Sequence, residues 1–203
     1  MSIPISIPTA TAVTDPTDAE LMVRVRRGDE DAFEALVDRH KDPLVAYLTL
    51  LTGSLDRAED LAQETFLRLF RAASRYREQG YLTAFLYRIA TNLVRSQGRR
   101  ETRWRCLAGE LAGRRREAEV EPGGPRRLLA RELRGRLAEA VTALPLGLRV
   151  PLVLYEIEDW PQGEIARVLG CRVGTVKSRL HRARARLRRE LAAYWEGWNG
   201  GTP

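Results

Sequence analysis

The stretch from Pro161 to Leu191, PQGEIARVLGCRVGTVKSRLHRARARLRREL, admits few folds. Ile165, Ala166, Val168 and Leu169 recur at helical spacing and form an apolar face. Gly170 is a natural stop, because it takes the left-handed conformation without strain, and Thr175 and Val176 then open a second helix. A helix-turn-helix needs a small residue where its helices cross, a glycine to reverse the chain and an apolar wedge to fix the angle. Ala166, Gly170 and Val176 have that spacing. Val176, Leu180, Ala183, Leu187 and Leu191 follow at intervals of four and three, so they share one core-facing stripe of the second helix.

The opposite face of that helix carries Ser178, His181, Arg182, Ala185 and Arg189, flanked by Lys177 and Arg188. Residues 164 to 190 hold nine Lys or Arg against Glu164 and Glu190, a net +7 that equals the net charge of the whole chain. The remaining residues therefore sum to zero. An excess charge confined to one helix, whose N-terminal half also offers hydrogen-bonding side chains, suits a major-groove reader. A merely solvated basic helix is the simpler alternative; it leaves the coincidence of turn geometry and basic face unaccounted for.

The 203 residues suffice for two small domains or one of moderate size, and 44% hydrophobic with 30% charged residues is a soluble globular mixture. No apolar run approaches the roughly 18 residues of a membrane span. The opening MSIPISIPTATAVTDPTD lacks the basic start and apolar block of a signal peptide, so residues 1–17 read as a loose tail and the chain is expected in the cytoplasm, with no membrane insertion. Cys106 and Cys171 lie far apart with no CxxC pair, and only His40 and His181 could join them, so no metal, disulfide or cofactor is expected. Neither a nucleophile with a paired base nor a phosphate-binding glycine loop stands out, which argues against an enzyme.

From the N-terminus, Asp18 can cap a short helix, Ala19 to Arg27, closed by Gly28. A second helix begins near Asp31 and places Phe33, Leu36, Val37, His40, Leu44, Val45, Leu48 and Leu51 on one side. His40 there reads as a partly buried structural histidine, and Pro43 should kink or divide the helix. A third helix starts at Asp56 with Glu59 three residues on, a capping-box arrangement, and buries Leu61, Ala62, Phe66, Leu69, Phe70 and Ala73. It runs from acidic (Asp56, Glu59, Asp60, Glu64) to basic (Arg68, Arg71, Arg75, Arg77), as the helix dipole favours.

The loop Tyr76 to Tyr81 has aromatic ends, a glycine and a cation. A fourth helix then buries Leu82, Phe85, Leu86, Ile89, Ala90 and Leu93, with Arg88, Asn92, Arg95, Ser96 and Arg99 on another side. Polar side chains four apart beside an aromatic loop could read an unstacked base, the rings stacking and Asn and Ser bonding its edge; a solvated helix face would look the same. From Gly98 to about Arg127 the pattern dissolves into Gly, Pro and Arg, a flexible linker with at most a helical turn around Arg105 to Leu111. Beyond it Leu129, Leu133, Leu137, Ala140, Val141 and Leu144 share a face, Pro145 ends that helix, and an apolar helix covers Leu146 to Ile157. Asp159 can cap the helix that carries the opening motif, with Pro161 in its first turn. The expectation is all-α: two small helical domains, 18–100 and 128–192, joined by a linker over 101–127, with a C-terminal tail at 193–203 in which Tyr194, Trp195 and Trp198 lie beyond the last helix.

Two such domains, the first with DLAQETFLRLF and FLYRIATNLVRS and the second with EIARVLGCRVGTVKSRLHRARARL, resemble the extracytoplasmic-function group of bacterial RNA polymerase sigma factors over residues 18 to 192. The resemblance implies that the first domain is sigma region 2, docking on the clamp helices of the largest polymerase subunit through Asp60, Gln63, Glu64 and Phe66. It implies that Tyr76, Arg77, Arg88, Asn92 and Ser96 melt and read the promoter −10 element. Leu82 and Phe85 stand where such proteins usually carry Phe and Trp, and Ser96 where they often carry Asp or Asn; these changes bear on −10 preference rather than on the fold. The second domain is implied to be region 4, reading the −35 element with Arg172, Thr175, Lys177, Ser178, His181 and Arg182. The implied partners are core RNA polymerase, including the flap of its second-largest subunit, promoter DNA and an anti-sigma factor. A stand-alone helix-turn-helix repressor or activator is the alternative, and it leaves the whole first domain without a role.

Overall fold

The computed structural model describes residues 15–76, 81–108 and 135–199. All regular structure among them is helical, as expected: α1 (Asp18–Val25), α2 (Glu30–Thr52), α3 (Leu55–Ala72) with a 3-10 turn at Ala73–Arg75, α4 (Leu82–Ala108), α5 (135–142), α6 (Leu146–Glu156), α7 (Gln162–Leu169) and α8 (Val173–Asn199). Arg77, Leu129, Leu133, most of the expected tail and linker, and residues 200–203 lie outside the described residues.

Two helix starts, those of α1 and α3, differ from expectation by one to two residues because a better-placed oxygen precedes the expected one, while α2 begins at Glu30, beside the expected Asp31. Thr17, not Asp18, caps α1; its hydroxyl accepts from the Glu20 amide at 3.3 Å while the Glu20 carboxylate accepts from the Thr17 amide at 2.7 Å, a complete capping box. This frees the Asp18 carboxylate to accept from Arg39 at 2.7 Å and to pair with His40 Nε2 at 2.8 Å, so His40 is indeed a half-buried structural residue, tying α1 to α2. Asp29 caps α2, accepting from the Ala32 amide at 3.0 Å, and Ser54 rather than Asp56 caps α3, accepting from the Arg57 amide. In the fourth case Pro161 occupies the cap position of α7, and Asp159 turns the chain before it at φ 53, a left-handed conformation that Asp tolerates better than most residues.

Two expected breaks do not break. Pro43 sits inside a continuous α2; it is exposed, so the backbone carbonyl it leaves unbonded can face water. Gly98 sits inside α4, which runs on to Ala108 and so takes up 101–108 of the expected linker; a single glycine costs a helix only about 1 kcal/mol, and its neighbours Gln97, Arg99 and Arg100 are good helix formers. At the other end α8 continues to Asn199, so Tyr194, Trp195 and Trp198 belong to the helix rather than to a tail.

In the first domain α3 lies against α2 and α4, and α1 closes the other side of α2. Leu36, Leu44, Tyr47, Leu48, Leu61, Leu69 and Leu86 are fully buried there. Phe70, expected inside, is 47% exposed and rests edge-on against Phe33 with ring centroids 5.0 Å apart. In the second domain α8 spans α6 and α7, burying Val176, Leu180 and Ala183 against Val150, Leu154, Ile165 and Val168. Leu137, expected on the buried side of α5, is exposed. Among the described residues no helix is long and apolar enough to cross a membrane.

The two domains also touch each other. α4 packs on α7 and α2 on α6, and the buried residues of both domains form one continuous cluster.

Candidate nucleic-acid and protein interfaces

The helix-turn-helix has the geometry its spacing predicted. Gly170 is left-handed (φ 60, ψ 42), its amide and that of Cys171 return to the last carbonyls of α7, and Ala166 and Val176 are buried where α7 meets α8. Burial of the Val176, Leu180 and Ala183 stripe sets the roll of α8 about its axis. That roll brings Arg172, Lys177, Ser178, His181 and Arg182 to the surface together, with Thr175 half-buried beside them. Ser178 Oγ donates to the Thr175 carbonyl at 3.0 Å and Arg182 Nε to the Ser178 carbonyl at 3.3 Å, so both polar heads lie along the helix. Arg184 serves the fold instead. It contacts the Glu156 carboxylate at 2.6 and 2.7 Å and covers the Tyr155 ring at 5.3 Å, pinning α8 to α6.

On α4, Arg88 and Asn92 are exposed and Ser96 is half-buried, its hydroxyl donating to the Leu93 carbonyl at 2.8 Å. The periodicity put all three on one face, and they do share it. Tyr76 is half-buried with its ring 5.3 Å from that of Phe85, whereas Tyr81 is 42% exposed. Tyr81 has a partner the sequence did not suggest: the Arg167 guanidinium of α7 lies over its ring, 4.1 Å from the centroid. Arg95, next on the same helix, is half-buried, and burial, with the neighbouring Arg179 of α8 adding to it, holds its guanidinium below the ordinary arginine value.

On α3, Asp60 and Gln63 are exposed and Glu64 is half-exposed, paired with Arg68 at 2.8 Å. Phe66 is only 6% exposed and belongs to the core, as its place on the apolar stripe of the third helix predicts, so it does not share the surface of Asp60, Gln63 and Glu64 on which the resemblance grouped it. The apolar side chain on that face is Leu67, 48% exposed. It was legible as the one leucine off the stripe of Leu61, Ala62, Thr65, Phe66 and Leu69.

Comparison with known proteins decides the family. Sigma-70 region 2 matches residues 36–104, and sigma-70 region 4 matches residues 134–187. The RNA polymerase sigma-H factor of Pseudomonas aeruginosa is 32% identical over 187 residues, covering 88% of this chain and 96% of that protein. The chain belongs to the extracytoplasmic-function sigma factors of the sigma-70 family.

Other relatives agree: this sigma factor is 37% identical to SigE of Mycolicibacterium smegmatis (92% of this chain, 69% of that one) and 32% identical to SigW of Bacillus subtilis (85% and 98%). Two solved structures share its fold. One is CnrH in complex with the cytosolic domain of CnrY, with a TM-score of 0.66 and 28% identity over 87% of this chain and 97% of that one. The other is RpoE in complex with the anti-sigma factor NepR from Bartonella quintana, with a TM-score of 0.65 and 25% identity over 79% and 96%. A sigma factor of this family binds core RNA polymerase and directs it to promoters.

Proposed function

We propose that this sigma factor holds a promoter at two points while its first domain is seated on polymerase, and that each of the three surfaces has one role. The α3 face with Asp60, Gln63, Glu64 and Leu67 meets the clamp helices; acidic groups around an exposed leucine, in a chain of net positive charge, suit a protein partner better than DNA. Tyr76, Arg77, Arg88, Asn92 and Ser96 serve the −10 element. Arg172, Thr175, Lys177, Ser178, His181 and Arg182 serve the −35 element. The chain between α4 and α5 connects the two domains.

The observation that carries this reading is the segregation of charge: the basic face of α8 and the acidic face of α3 stand on different domains. Docking and phosphate contacts together offset the few kcal/mol needed to unstack and flip promoter bases, so the chain itself catalyses nothing. It acts in the cytoplasm with polymerase. Its partners include an anti-sigma factor, a reading supported by the similar structure of the sigma factor RpoE in complex with the anti-sigma factor NepR. Run-off transcription with core polymerase tests the function: promoter-specific transcripts are expected only when the chain is added, and identical transcripts without it overturn the reading. Start-site mapping after overproduction then gives both promoter elements.

A further inference from the structure

The reading part of α8 is held by little apolar surface. Between Val173 and Ala183 only Val176, Leu180 and Ala183 are buried, and Lys177, Ser178, His181 and Arg182 are interleaved with them. Ala183 closes that stripe with a single methyl group, which makes few contacts to resist a turn of the helix about its axis. A side-chain head about 5 to 6 Å from the axis moves roughly 1 Å for each 10° of roll. A set of recognition groups has to be held within about 0.5 Å and 10 to 20°.

The next residue supplies what the stripe lacks. Arg184 reaches the last residue of α6, with its Nε and Nη2 both meeting Glu156 Oε1, at 2.7 and 2.6 Å. Its guanidinium also lies over the Tyr155 ring, 5.3 Å from the centroid, and Tyr155 is half-buried in α6, so the group is held from two directions. No other Lys or Arg of α8 is paired with a carboxylate among the described residues. Glu156 has no local reason to be acidic. It closes α6, where the helix dipole disfavours negative charge and where the last turn carries no basic residue. A carboxylate that is unfavourable where it stands in α6 is accounted for by the cation it meets on α8.

We propose that Arg184, clamped by Glu156 and Tyr155, is a positioning residue that sets the roll of α8, and with it the base discrimination of Lys177, Ser178, His181 and Arg182, while making no phosphate contact itself. The inference rests on the reading of α8 as the −35-recognising helix. His181 and Arg182 precede Arg184 by less than one turn, so they follow any roll that its release allows. Both members of the ion pair are well exposed, and such a pair shifts an equilibrium by no more than about fivefold, which bounds the effect.

The test uses holoenzyme assembled from core polymerase and the full chain, on the promoter recovered by start-site mapping, with its −35 element intact or scrambled. The variants are Glu156→Gln, Arg184→Ala and the charge-exchanged pair Glu156→Arg with Arg184→Glu, each first confirmed as folded by circular dichroism. Either single change should lower the ratio of intact to scrambled transcription about threefold to fivefold, with core-polymerase binding and the slope of promoter affinity against salt unchanged. The exchanged pair should bring the ratio back to within about twofold of wild type. If Arg184 instead grips a DNA phosphate, Glu156→Gln frees it and strengthens binding to both promoters, Arg184→Ala lowers the salt slope by about one, and the exchanged pair binds most weakly; each of these results overturns the proposal. An unchanged ratio in both single variants, or an exchanged pair that does not restore it, overturns it too. A wild-type holoenzyme that transcribes intact and scrambled promoters alike removes the −35 reading and the positioning role together, whereas a wild type that discriminates beside variants that discriminate equally removes the positioning role alone.

Discussion

The hydroxyls of Tyr47 and Thr91 meet 2.8 Å apart where α2 lies against α4, with both side chains shut off from water. Each is the other's side-chain partner in an apolar setting, and Tyr47 also stacks on Tyr87, with ring centroids 4.7 Å apart. Tyr47→Phe should cost about 0.5 to 1.5 kcal/mol in urea unfolding. Adding Thr91→Val should cost less than the sum of the two single changes, because the second removes a hydroxyl the first has already left unpaired. Strict additivity would show that the two groups do not depend on each other.

Alkaline stability follows from the same pair of rings. Burial raises both Tyr47 and Tyr87 above the ordinary tyrosine value, and the Glu158 carboxylate raises Tyr87 further. The folded chain therefore keeps both phenolic protons at pH values where the unfolded chain, with tyrosines near pH 10, releases them. Their contribution to stability is fully present below about pH 10 and declines as pH rises above it. Of the six tyrosines, at least these two should stay un-ionised in absorbance at 295 nm until circular dichroism reports unfolding. Ionisation of all six near pH 10 with the helices intact would contradict this.

Phe66 and Leu67 are neighbours with opposite exposure. Phe66→Ala should cost about 3 to 5 kcal/mol of stability, as loss of a buried aromatic does. Leu67→Ala should stay within about 0.5 kcal/mol of wild type in urea yet weaken core-polymerase binding by roughly fivefold or more. Asp60→Lys should weaken the same binding. Unchanged polymerase affinity in both surface variants would move the docking face elsewhere.

Arg182 and Arg188 are both exposed on α8, and DNA binding should separate them. Arg182→Ala should cost about 1 to 3 kcal/mol on a matched −35 sequence and relax preference at one base pair. Arg188→Ala should weaken all sequences alike and lower the slope of affinity against salt by about one. Equal losses on matched and scrambled duplexes for Arg182→Ala would refute its base contact.

Local features were legible to different depths. The stripe of Val176, Leu180 and Ala183 needed only its spacing, because a long helix with one apolar side can bury only that side. Helix starts were legible to within a residue or two: Thr17 and Ser54 compete with Asp18 and Asp56 for the same amides, and their places depend on backbone angles that composition does not reveal. Phe66 against Leu67 was harder, since adjacent residues on α3 differ by about 100° of rotation and the motif carries both.

Spacing and charge alone were enough for the all-α class, the helix-turn-helix with Gly170 at its corner and the basic face of α8, because each depends on residues within a few turns of one another. The seam between the two domains needed the tertiary structure. Tyr87 and Glu158 are separated by 71 positions, and Leu51 and Arg149 by 98. Nothing local requires those pairs to meet. They meet because burial of the shared apolar cluster sets α4 on α7 and α2 on α6, and only then are the hydroxyl, the carboxylate and the helix-end carbonyl within reach of their partners.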